Sequence, residues 1–421
     1  MLKVLVVGNG AREHTLVWKL AQSPKVSHIY AAPGNAGIAG IAETLDIKPT
    51  DLESLASVAQ RLNIDLTVVG PESPLSEGVV DLFQSRSLPI FGSSRAAARI
   101  ESSKVFSKDM MQKYGIPCAK SRSFSSYEEA QDYVNKQFSP IVVKADGLAA
   151  GKGVIVANSI DEALSALSDI MENRVFGAAG DRVIIEECLV GTEVSLLAFT
   201  DGVTVVPMVP ACDYKRVGDN DAGPNTGGMG SYSPPGFFGP DMIDRVKREV
   251  LDPAVRAMAA EGCLYKGVLY AGLMVTSDGP KVMEFNCRFG DPETQAMLPR
   301  LDSDLAEIML AVVEDRLGDI DIRWRDEACV GVILASGGYP GEYETGFPIA
   351  GLDSVDDGIL VFHAGTRSDD GVICTDGGRV LTVVATGKDI AQARDRVYSN
   401  ISRIHFDGCH YRRDIGAREV V

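Results

Sequence analysis

One short predicted strand carries the side chains best suited to chemistry, because Glu284, Asn286 and Arg288 alternate with apolar residues. Alternate side chains of a strand share one face. A carboxylate and an amide oxygen on one face suit a hard divalent cation such as magnesium, and a neighbouring arginine can bind phosphate or carboxylate. The pattern predicts a metal site for phosphoryl chemistry, although a solvated strand face explains these three residues equally well. The residues expected to point into the core are Met283, Phe285, Cys287 and Phe289.

A glycine-rich segment, 145–153, follows a predicted strand at 140–144 and precedes another at 154–156. It lacks the spacing of a P-loop, and a strand rather than a helix follows it. Such a loop can close over a nucleotide as a lid, with Lys144 at the strand end and Lys152 in the loop able to reach phosphates. The alternative is a plain surface hairpin.

Two further segments could complete a nucleotide site. A helix is predicted to begin around Lys104 and to end at Gly115. Residues 183–187 are predicted to form a strand that leads into an extended linker. The backbone of that linker could contact an adenine edge, and Glu193 could accept ribose hydroxyls, although this pattern is weak by itself.

The first 100 or so residues alternate apolar runs with helical stretches, which predicts a βαβ domain with a parallel sheet. The predicted strands are Val4–Val7, Ile29–Ala31, Leu66–Val69 and Ile90–Phe91, and the predicted helices are Thr15–Gln22, Asp51–Leu62 and Glu77–Ser85. Glu13 stands where a dinucleotide fingerprint has its third glycine, and no acid ends the second strand, so NAD binding is disfavoured.

Turns at the carboxyl ends of these strands form a ligand crevice, and their backbone amides favour an anion such as a substrate phosphate. The residues concerned are Gly8, Gly10, Asn35, Gly70, Pro71 and Glu72. The alternative is that they are only turn residues.

A long polar and glycine-rich segment, 213–235, is predicted to be a loop without regular structure, and loops of this length are usually functional or disordered. Its aromatic residues and low net charge argue against disorder. Its amides could bind an anionic substrate. The candidate substrate-binding residues here are Asp213, Lys215, Asn225, Thr226, Gly227 and Gly228.

Composition restricts the class of protein. The chain has 421 residues and a formal charge of −17, which disfavours binding to nucleic acid or to an anionic membrane. No apolar run approaches the ~18 residues that cross a bilayer, and a strand predicted at the N-terminus argues against a signal peptide. Eight scattered cysteines suggest reduced thiols in a cytoplasmic protein, and five histidines without ligand spacing make zinc improbable.

The order of these segments predicts a multidomain protein of α/β and α+β class. The expected domains are an N-terminal parallel-sheet (Rossmann-like) domain at 1–102, a nucleotide-binding domain at 103–325 with a small lid lobe at about 120–190, and a C-terminal α/β domain at 326–421.

From end to end the chain resembles the ATP-grasp superfamily and, within it, the phosphoribosylamine–glycine ligase family, also called glycinamide ribonucleotide synthetases. Six segments carry the resemblance: 6–14, 32–37, 69–72, 144–154, 223–230 and 284–295. Two departures are Ala11, where the family usually has glycine, and Tyr214, where it usually has histidine. The strand at 271–274 also lacks the acid that many ATP-grasp enzymes carry.

The resemblance implies ATP-dependent ligation of glycine to 5-phosphoribosylamine through a glycyl phosphate, with Mg²⁺ or Mn²⁺, in a cytoplasmic monomer of purine biosynthesis. The implied metal ligands are Glu284 and Asn286, and the implied catalytic residues are Arg288, Lys144 and Lys152. The implied ATP-binding residues are Lys104, Lys144, Gly151, Lys152, Gly153, Glu186, Glu187, Leu189 and Glu193. The implied substrate-binding residues are the crevice and loop residues named above, together with Arg288.

Three other functions remain open at this stage. Another ATP-grasp ligase, such as a carboxylase subunit, would share the lid and the metal strand but would differ in the N-terminal domain and in 213–235. An NAD-dependent oxidoreductase would need the missing fingerprint residues. A nucleotide sensor would bind ATP without turnover, and glycine-dependent release of ADP would separate it from an enzyme.

Overall fold

The computed structural model describes residues 1–147 and 153–420, and its N-terminal domain is built on a parallel sheet of order β3-β2-β1-β4-β5. The strands are β1 Leu2–Gly8, β2 Val26–Pro33, β3 Glu43–Thr44, β4 Leu66–Val69 and β5 Ile90–Phe91. The helices are α1 Ala11–Leu20, α2 Leu52–Leu62, α3 Glu72–Glu77, α4 Val79–Ser85 and α5 Arg95–Ser102. Chain order reverses between β1 and β4, and ligands bind at the carboxyl ends of strands beside such a switch point.

The four predicted strands of this domain are present, because each is a buried apolar run. Helix α1 begins at Ala11, four residues before the predicted start. The helix predicted at 77–85 is confirmed from Val79 onward as α4, but the prediction missed α3, which meets α4 at Gly78. The φ of +97° at Gly78 is a left-handed conformation that ends the first helix.

Helix α6, Lys104–Lys113, leads into a small antiparallel sheet of order β6-β9-β7-β8. Its strands are β6 Ser121–Phe124, β7 Ile141–Ala145, β8 Val154–Ala157 and β9 Val183–Glu187, and its helices are α7 Tyr127–Val134 and α8 Ile160–Leu167. The buried apolar residues of this segment form a cluster of their own, separate from the main core. A separate core is what a lobe needs if it is to move as one body.

A second antiparallel sheet, of order β11-β10-β16-β17, carries the predicted metal strand at its edge. Its strands are β10 Thr192–Thr200, β11 Val205–Pro207, β16 Gly267–Thr276 and β17 Gly279–Asn286. Strands β16 and β17 pair antiparallel and form a hairpin, so the predicted metal strand is the second strand of that hairpin. Helices α9 Pro240–Val246 and α10 Asp252–Ala260 precede β16 and are joined by a turn of π-helix.

A third antiparallel sheet, of order β12-β15-β18-β22-β19, joins the middle of the chain to its C-terminal region. Its strands are β12 Cys212–Asp213, β15 Gly230–Ser233, β18 Ala328–Ala335, β19 Ile359–His363 and β22 Arg379–Gly387. Two ribbons are formed by β13 Arg216–Gly218 with β14 Ala222–Asn225 and by β20 Thr366–Asp369 with β21 Val372–Thr375. The remaining helices are α11 Glu293–Met297, α12 Leu305–Val313 and α13 Ile390–Ile401.

The prediction that 213–235 has no regular structure is therefore wrong. Four short strands, β12 to β15, lie there, and β15 pairs with β18 from almost 100 residues later in the chain. Such pairing cannot be predicted from local composition, because the partner strand is distant in sequence. The segment is thereby attached to the C-terminal sheet.

The fold class expected from the sequence is confirmed by these four principal sheets and the helices around them. Within the described residues, no helix combines the length and the apolar character that crossing a membrane requires.

Candidate active site

The predicted metal strand has the expected alternation at its end, with Phe285 buried in the core and the carboxylate of Glu284 on the other face. Burial acts to raise the pKa of Glu284, but neighbouring cations outweigh it and hold the pKa below its usual value. Those cations are Lys144, Lys215, Lys104 and Arg288. Glu284 is therefore ionised, as a metal ligand must be.

Two expectations for this segment are corrected. Strand β17 ends at Asn286, so Arg288 lies beyond the strand rather than on its face. Met283 is only half-buried, and its carbonyl oxygen accepts a hydrogen bond from Lys144 Nζ at 3.3 Å. Met283 lies at a register shift, because Glu284 pairs with Gly272 and Val282 pairs with Leu273. The expectation that Met283 is a core residue is therefore wrong, whereas Phe285, Cys287 and Phe289 are buried as expected.

Glu284 and the buried Asn286 offer the hard oxygen donors that suit Mg²⁺ or Mn²⁺. Across residues 1–147 and 153–420, no group of three or more His, Cys, Asp and Glu side chains could enclose a metal ion. The two residues fit a cation that takes its other ligands from phosphate oxygens and water, which is the usual arrangement for Mg²⁺ with a nucleotide.

Two of the predicted phosphate-binding lysines lie near this strand. Lys144 Nζ lies 2.9 Å from Glu186 Oε2, and both residues are buried. Lys104 Nζ donates to the carbonyl of Gly147 at 2.7 Å, where the glycine-rich segment begins. The pKa of Lys104 is lowered by burial, and Glu284 partly opposes that shift.

The rest of the glycine-rich segment is described only in part. Gly151 and Lys152, predicted to bind ATP, lie outside the described residues. Gly153 lies inside them, just before β8, and its carbonyl accepts the Ala145 N–H at 2.9 Å.

The predicted adenine-binding segment follows β9 as expected, with Leu189 half-buried in the connection to β10. Glu186 faces Lys144, whereas Glu187 accepts the Lys120 N–H at 3.0 Å. Glu193, predicted for the ribose, lies at the start of β10 and pairs with Lys215 at 2.7 Å.

Lys215 and Asp213 form the charged centre of the second predicted substrate segment. Lys215 Nζ lies 2.8 Å from Asp213 Oδ1 and 2.7 Å from Glu193 Oε2. Burial acts to lower the pKa of Lys215, but the two carboxylates outweigh it and raise the pKa. Lys215 is therefore a permanent cation near Glu284, whose pKa it helps to lower.

Tyr214 points away from this pair, into the C-terminal region. Its ring lies between the guanidinium groups of Arg412 and Arg418, at 4.6 and 4.8 Å, and its hydroxyl accepts the Gly416 N–H at 3.0 Å. Arg412 is buried and pairs with Asp414 at 2.7 Å. The residue that departs from the family is thus a packing residue, one position from two charged site residues.

The amides expected to bind a substrate anion are already engaged. Gly227 N–H donates to the Tyr339 hydroxyl at 3.0 Å, and Gly228 N–H donates to Thr226 Oγ1 at 2.9 Å. Arg379 of the C-terminal sheet donates to the Gly227 carbonyl at 2.6 Å. This contradicts the expectation of exposed amides, because the C-terminal sheet packs on the segment. Asn225 is exposed.

In the N-terminal crevice the carboxylate of Glu13 occupies the turn between the strand ends. Glu13 Oε2 accepts the Gly10 N–H at 2.6 Å, and Arg12 Nε lies 2.6 Å from Glu13 Oε1. A Cβ atom at Gly8 or Gly70 would lie 2.5 or 2.0 Å from the Glu13 side chain. These glycines are therefore needed for close packing, and the Gly10 amide predicted for a phosphate serves Glu13 in this conformation.

The other crevice residues connect domains. Asn35 Nδ2 donates to the carbonyls of Asn9 and His363, each at 2.8 Å, which ties the N-terminal domain to the C-terminal sheet. Pro71 precedes α3, and Glu72 at the start of α3 lies 3.3 Å from Arg288.

Three charged residues of the site were missed from the sequence. Glu101 pairs with Arg288 at 3.1 Å, and Lys108 lies 3.0 Å from Glu186. Glu293 is buried, with Oε1 2.8 Å from the Tyr270 hydroxyl, and burial and then Asp213 raise its pKa. Glu293 follows the metal strand within a segment that carried the resemblance, which was the one available signal.

Comparison with known proteins matches three consecutive parts of the chain to one family. Profiles of the phosphoribosylglycinamide synthetase family match its N domain to residues 2–101, its ATP-grasp (A) domain to 102–294 and its C domain to 329–418. The chain belongs to this family. The resemblance to phosphoribosylamine–glycine ligases, stated from the sequence, is thereby confirmed.

Relatives of the family agree along the full length. The phosphoribosylamine–glycine ligases of Vibrio cholerae and Escherichia coli K12 are each 50% identical, covering 100% of this chain and 99% of theirs. The crystal structure of the Thermotoga maritima phosphoribosylamine–glycine ligase has a TM-score of 0.87 at 32% identity, covering 98% of this chain and 100% of that one. A biotin carboxylase from Campylobacter jejuni shares the fold, with a TM-score of 0.75 at 14% identity over 99% of this chain and 95% of that one.

Proposed function

We propose that this member of the phosphoribosylglycinamide synthetase family joins glycine to 5-phosphoribosylamine. It does so at the expense of ATP, releasing glycinamide ribonucleotide, ADP and phosphate. The observation that carries the proposal is the ionised Glu284 beside Asn286, surrounded by Lys104, Lys144 and Lys215. The names of relatives that match along the full length support the choice of substrates.

The chemistry requires activation of a carboxylate. An oxide is a poor leaving group, so an amine does not displace it from glycine. Attack by a glycine carboxylate oxygen on the γ-phosphorus of ATP forms an acyl phosphate and releases ADP. The amine of phosphoribosylamine then attacks the glycyl carbonyl carbon and expels inorganic phosphate, while the amine loses its proton. The proposed route uses no protein nucleophile.

Positioning and charge provide most of the catalysis of phosphoryl transfer. Lys144 and Lys104 offset the charge on the phosphate oxygens of ATP, and Lys152 is assigned the same role from the sequence alone. Glu284 and Asn286 would hold a divalent cation, which would further offset the negative charge of the phosphates. Glu186, Glu187, Leu189 and Glu193 are assigned to the adenosine part of ATP.

The substrates are assigned to the side of Glu284 that faces the N-terminal and C-terminal domains. Arg288 and Lys215 are the cations available there for the glycine carboxylate or the transferring phosphoryl group. Engagement of the Gly10, Gly227 and Gly228 amides within the protein means that a substrate phosphate must displace those contacts or use others.

The test measures ADP release with ATP, Mg²⁺ and each substrate in turn. The proposal expects release only when glycine and 5-phosphoribosylamine are both present, with formation of glycinamide ribonucleotide. Release supported by bicarbonate in place of glycine would indicate a carboxylase. ATP binding without release under any of these conditions would indicate a sensor. Either of these outcomes contradicts the proposal.

A further inference from the structure

A chain of three buried charges lies behind the proposed phosphate site. Lys108 Nζ of α6 lies 3.0 Å from Glu186 Oε1, and Lys144 Nζ lies 2.9 Å from Glu186 Oε2. All three residues are buried: the exposed fraction is 4% for Lys108, 7% for Lys144 and 4% for Glu186. One carboxylate is thus shared by two ammonium groups, each on a separate oxygen.

These three charged residues connect helix α6, the small lobe and the proposed metal strand. Lys108 belongs to the helix that precedes the small lobe, while Lys144 and Glu186 belong to the paired strands β7 and β9 of that lobe. Lys144 also donates to the carbonyl of Met283, the residue next to the proposed metal ligand Glu284. A charge placed at Lys108 can therefore act on Lys144 through the carboxylate that both ammonium groups contact.

The charge balance explains why a second buried lysine is useful. Two ammonium groups and one carboxylate leave a net charge of about +1 when all three are ionised. With Lys108 removed, Glu186 and Lys144 would form a neutral pair. Lys144 would then attract a phosphate less strongly, because Glu186 would neutralise its charge. Because the site is buried, such a difference is screened far less than it would be at the surface.

We propose that Lys108 is a positioning residue for the nucleotide phosphates, which holds one Glu186 oxygen so that Lys144 keeps an uncompensated positive charge toward them. The proposal rests on the proposed use of ATP. Lys108 itself does not contact the phosphates. Its effect should therefore grow with the number of phosphates on the nucleotide, whereas a merely structural role would weaken all nucleotides alike.

The experiment compares Lys108→Met and Lys108→Arg with Lys113→Met, a control on the same helix whose lysine is exposed and pairs with Glu261 at the surface. The affinities of ATP, ADP and AMP are measured by calorimetry in the full-length protein. For Lys108→Met we expect ATP to bind about tenfold more weakly or worse, the range for losing a charge-assisted interaction. The loss should be smaller for ADP and smallest for AMP.

Charge, rather than shape, should account for the effect, so Lys108→Arg should retain ATP affinity within about threefold because it keeps the cation. The KM for ATP should rise in Lys108→Met while the KM for glycine stays unchanged. Lys113→Met should resemble the wild type. If Lys108→Met misfolds, Lys108→Arg alone decides, because a folded arginine variant that loses ATP affinity overturns the proposal.

The two proposals fail in different ways. Equal weakening of ATP, ADP and AMP in Lys108→Met, or no weakening at all, overturns the role of Lys108 while the wild type still turns over. A wild type that binds ATP but releases no ADP with glycine and phosphoribosylamine contradicts the ligase function and leaves the comparison of nucleotides intact. A wild type that binds none of the three nucleotides overturns both proposals.

Discussion

The Nη2 atom of Arg288 lies 3.1 Å from Oε1 of Glu101, so the arginine that follows the metal strand is paired with the last turn of α5. Glu101 Oε2 also accepts the Cys287 N–H at 2.7 Å. Burial acts to lower the pKa of Arg288, but Glu101 and then Glu72 outweigh it, and the guanidinium stays charged. A cation proposed for substrate is therefore positioned by carboxylates of the N-terminal domain.

Glu101→Gln should destabilise the protein, because it leaves the half-buried Arg288 with one carboxylate partner instead of two. We expect the free energy of unfolding to fall by about 3 kcal/mol, the lower end of the range for breaking a buried ion pair. Urea denaturation at neutral pH measures it. The matched control is Glu53→Gln, an exposed partner of Arg86, where a change below about 1 kcal/mol is expected. Equal effects of the two variants would contradict the assigned role of Glu101.

Glu284→Ala should abolish turnover and leave the fold intact. Removing a charged ligand beside the reacting phosphoryl group is expected to cost about 3 kcal/mol or more of transition-state stabilisation, or over a hundredfold in kcat. The measurement is steady-state ADP release at saturating Mg²⁺, with circular dichroism as the check of folding. Asp278→Ala, an exposed acid on the turn of the same hairpin, should keep normal activity. Near-normal activity of Glu284→Ala would remove this residue from the site.

Tyr214→Ala should affect the substrate side of the reaction more than the nucleotide side. Its ring is held between Arg412 and Arg418, so its loss frees the segment that carries Asp213 and Lys215. We expect the KM for glycine or phosphoribosylamine to rise several-fold, roughly the effect of losing about 1 kcal/mol of binding, with the KM for ATP unchanged. Tyr214→His, the residue usual in the family, should be milder. An equal rise in all three KM values would indicate general destabilisation instead.

A buried pair of histidines should make the protein sensitive to mild acid. His14 Nδ1, on α1, accepts a hydrogen bond from the backbone N–H of His363, on β19, at 2.8 Å. Burial, and to a smaller extent the neighbouring His363, lowers the pKa of His14 to about 3. Burial alone lowers the pKa of His363 to about 4. Both are therefore neutral when folded, whereas the unfolded chain takes up protons below about pH 6.5.

Unfolding then binds protons, and stability falls as pH drops from about 6.5 to about 4. Between about pH 7 and pH 5 each histidine should remove about 2 kcal/mol from the free energy of unfolding. His14→Gln should reduce this loss, because it removes one of the two buried imidazoles. The measurement is urea denaturation at the two pH values. Identical pH dependence in wild type and His14→Gln would refute the assignment.

The sequence predicted an element best where one local pattern of residues was enough to define it. Leu66–Val69 and Ile90–Phe91 were predicted with the observed bounds, because a buried parallel strand is a continuous apolar run. Strand alternation also places Glu284 and Asn286 together at the end of β17, and their role as metal ligands stays a prediction. The features that the sequence did not reveal depend on contacts between distant residues: β15 pairs with β18, and Glu13 packs against Gly70 in the crevice predicted to bind phosphate. No local pattern reports such neighbours.

The last prediction concerns the chemical step. Activation on glycine itself means that a carboxylate oxygen bonds to the γ-phosphorus and stays there when the amine expels phosphate. Glycine labelled with heavy oxygen in both carboxylate positions should therefore pass one label to each inorganic phosphate, and the glycinamide product should retain the other. Mass analysis of the released phosphate and of the product measures this transfer, and unlabelled glycine with heavy water is the matched control.

The alternatives place the label elsewhere. Cleavage of ATP at the α-phosphorus would send the label to AMP and leave the released pyrophosphate unlabelled. If ATP hydrolysis only drove closure of the small lobe, the phosphate oxygen would come from water. The phosphate would then carry label in the heavy-water control and none in the experiment with labelled glycine. Because the label follows the bonds that break, unlabelled phosphate with normal product formation would rule out the acyl phosphate. It would do so whichever residues bind the substrates.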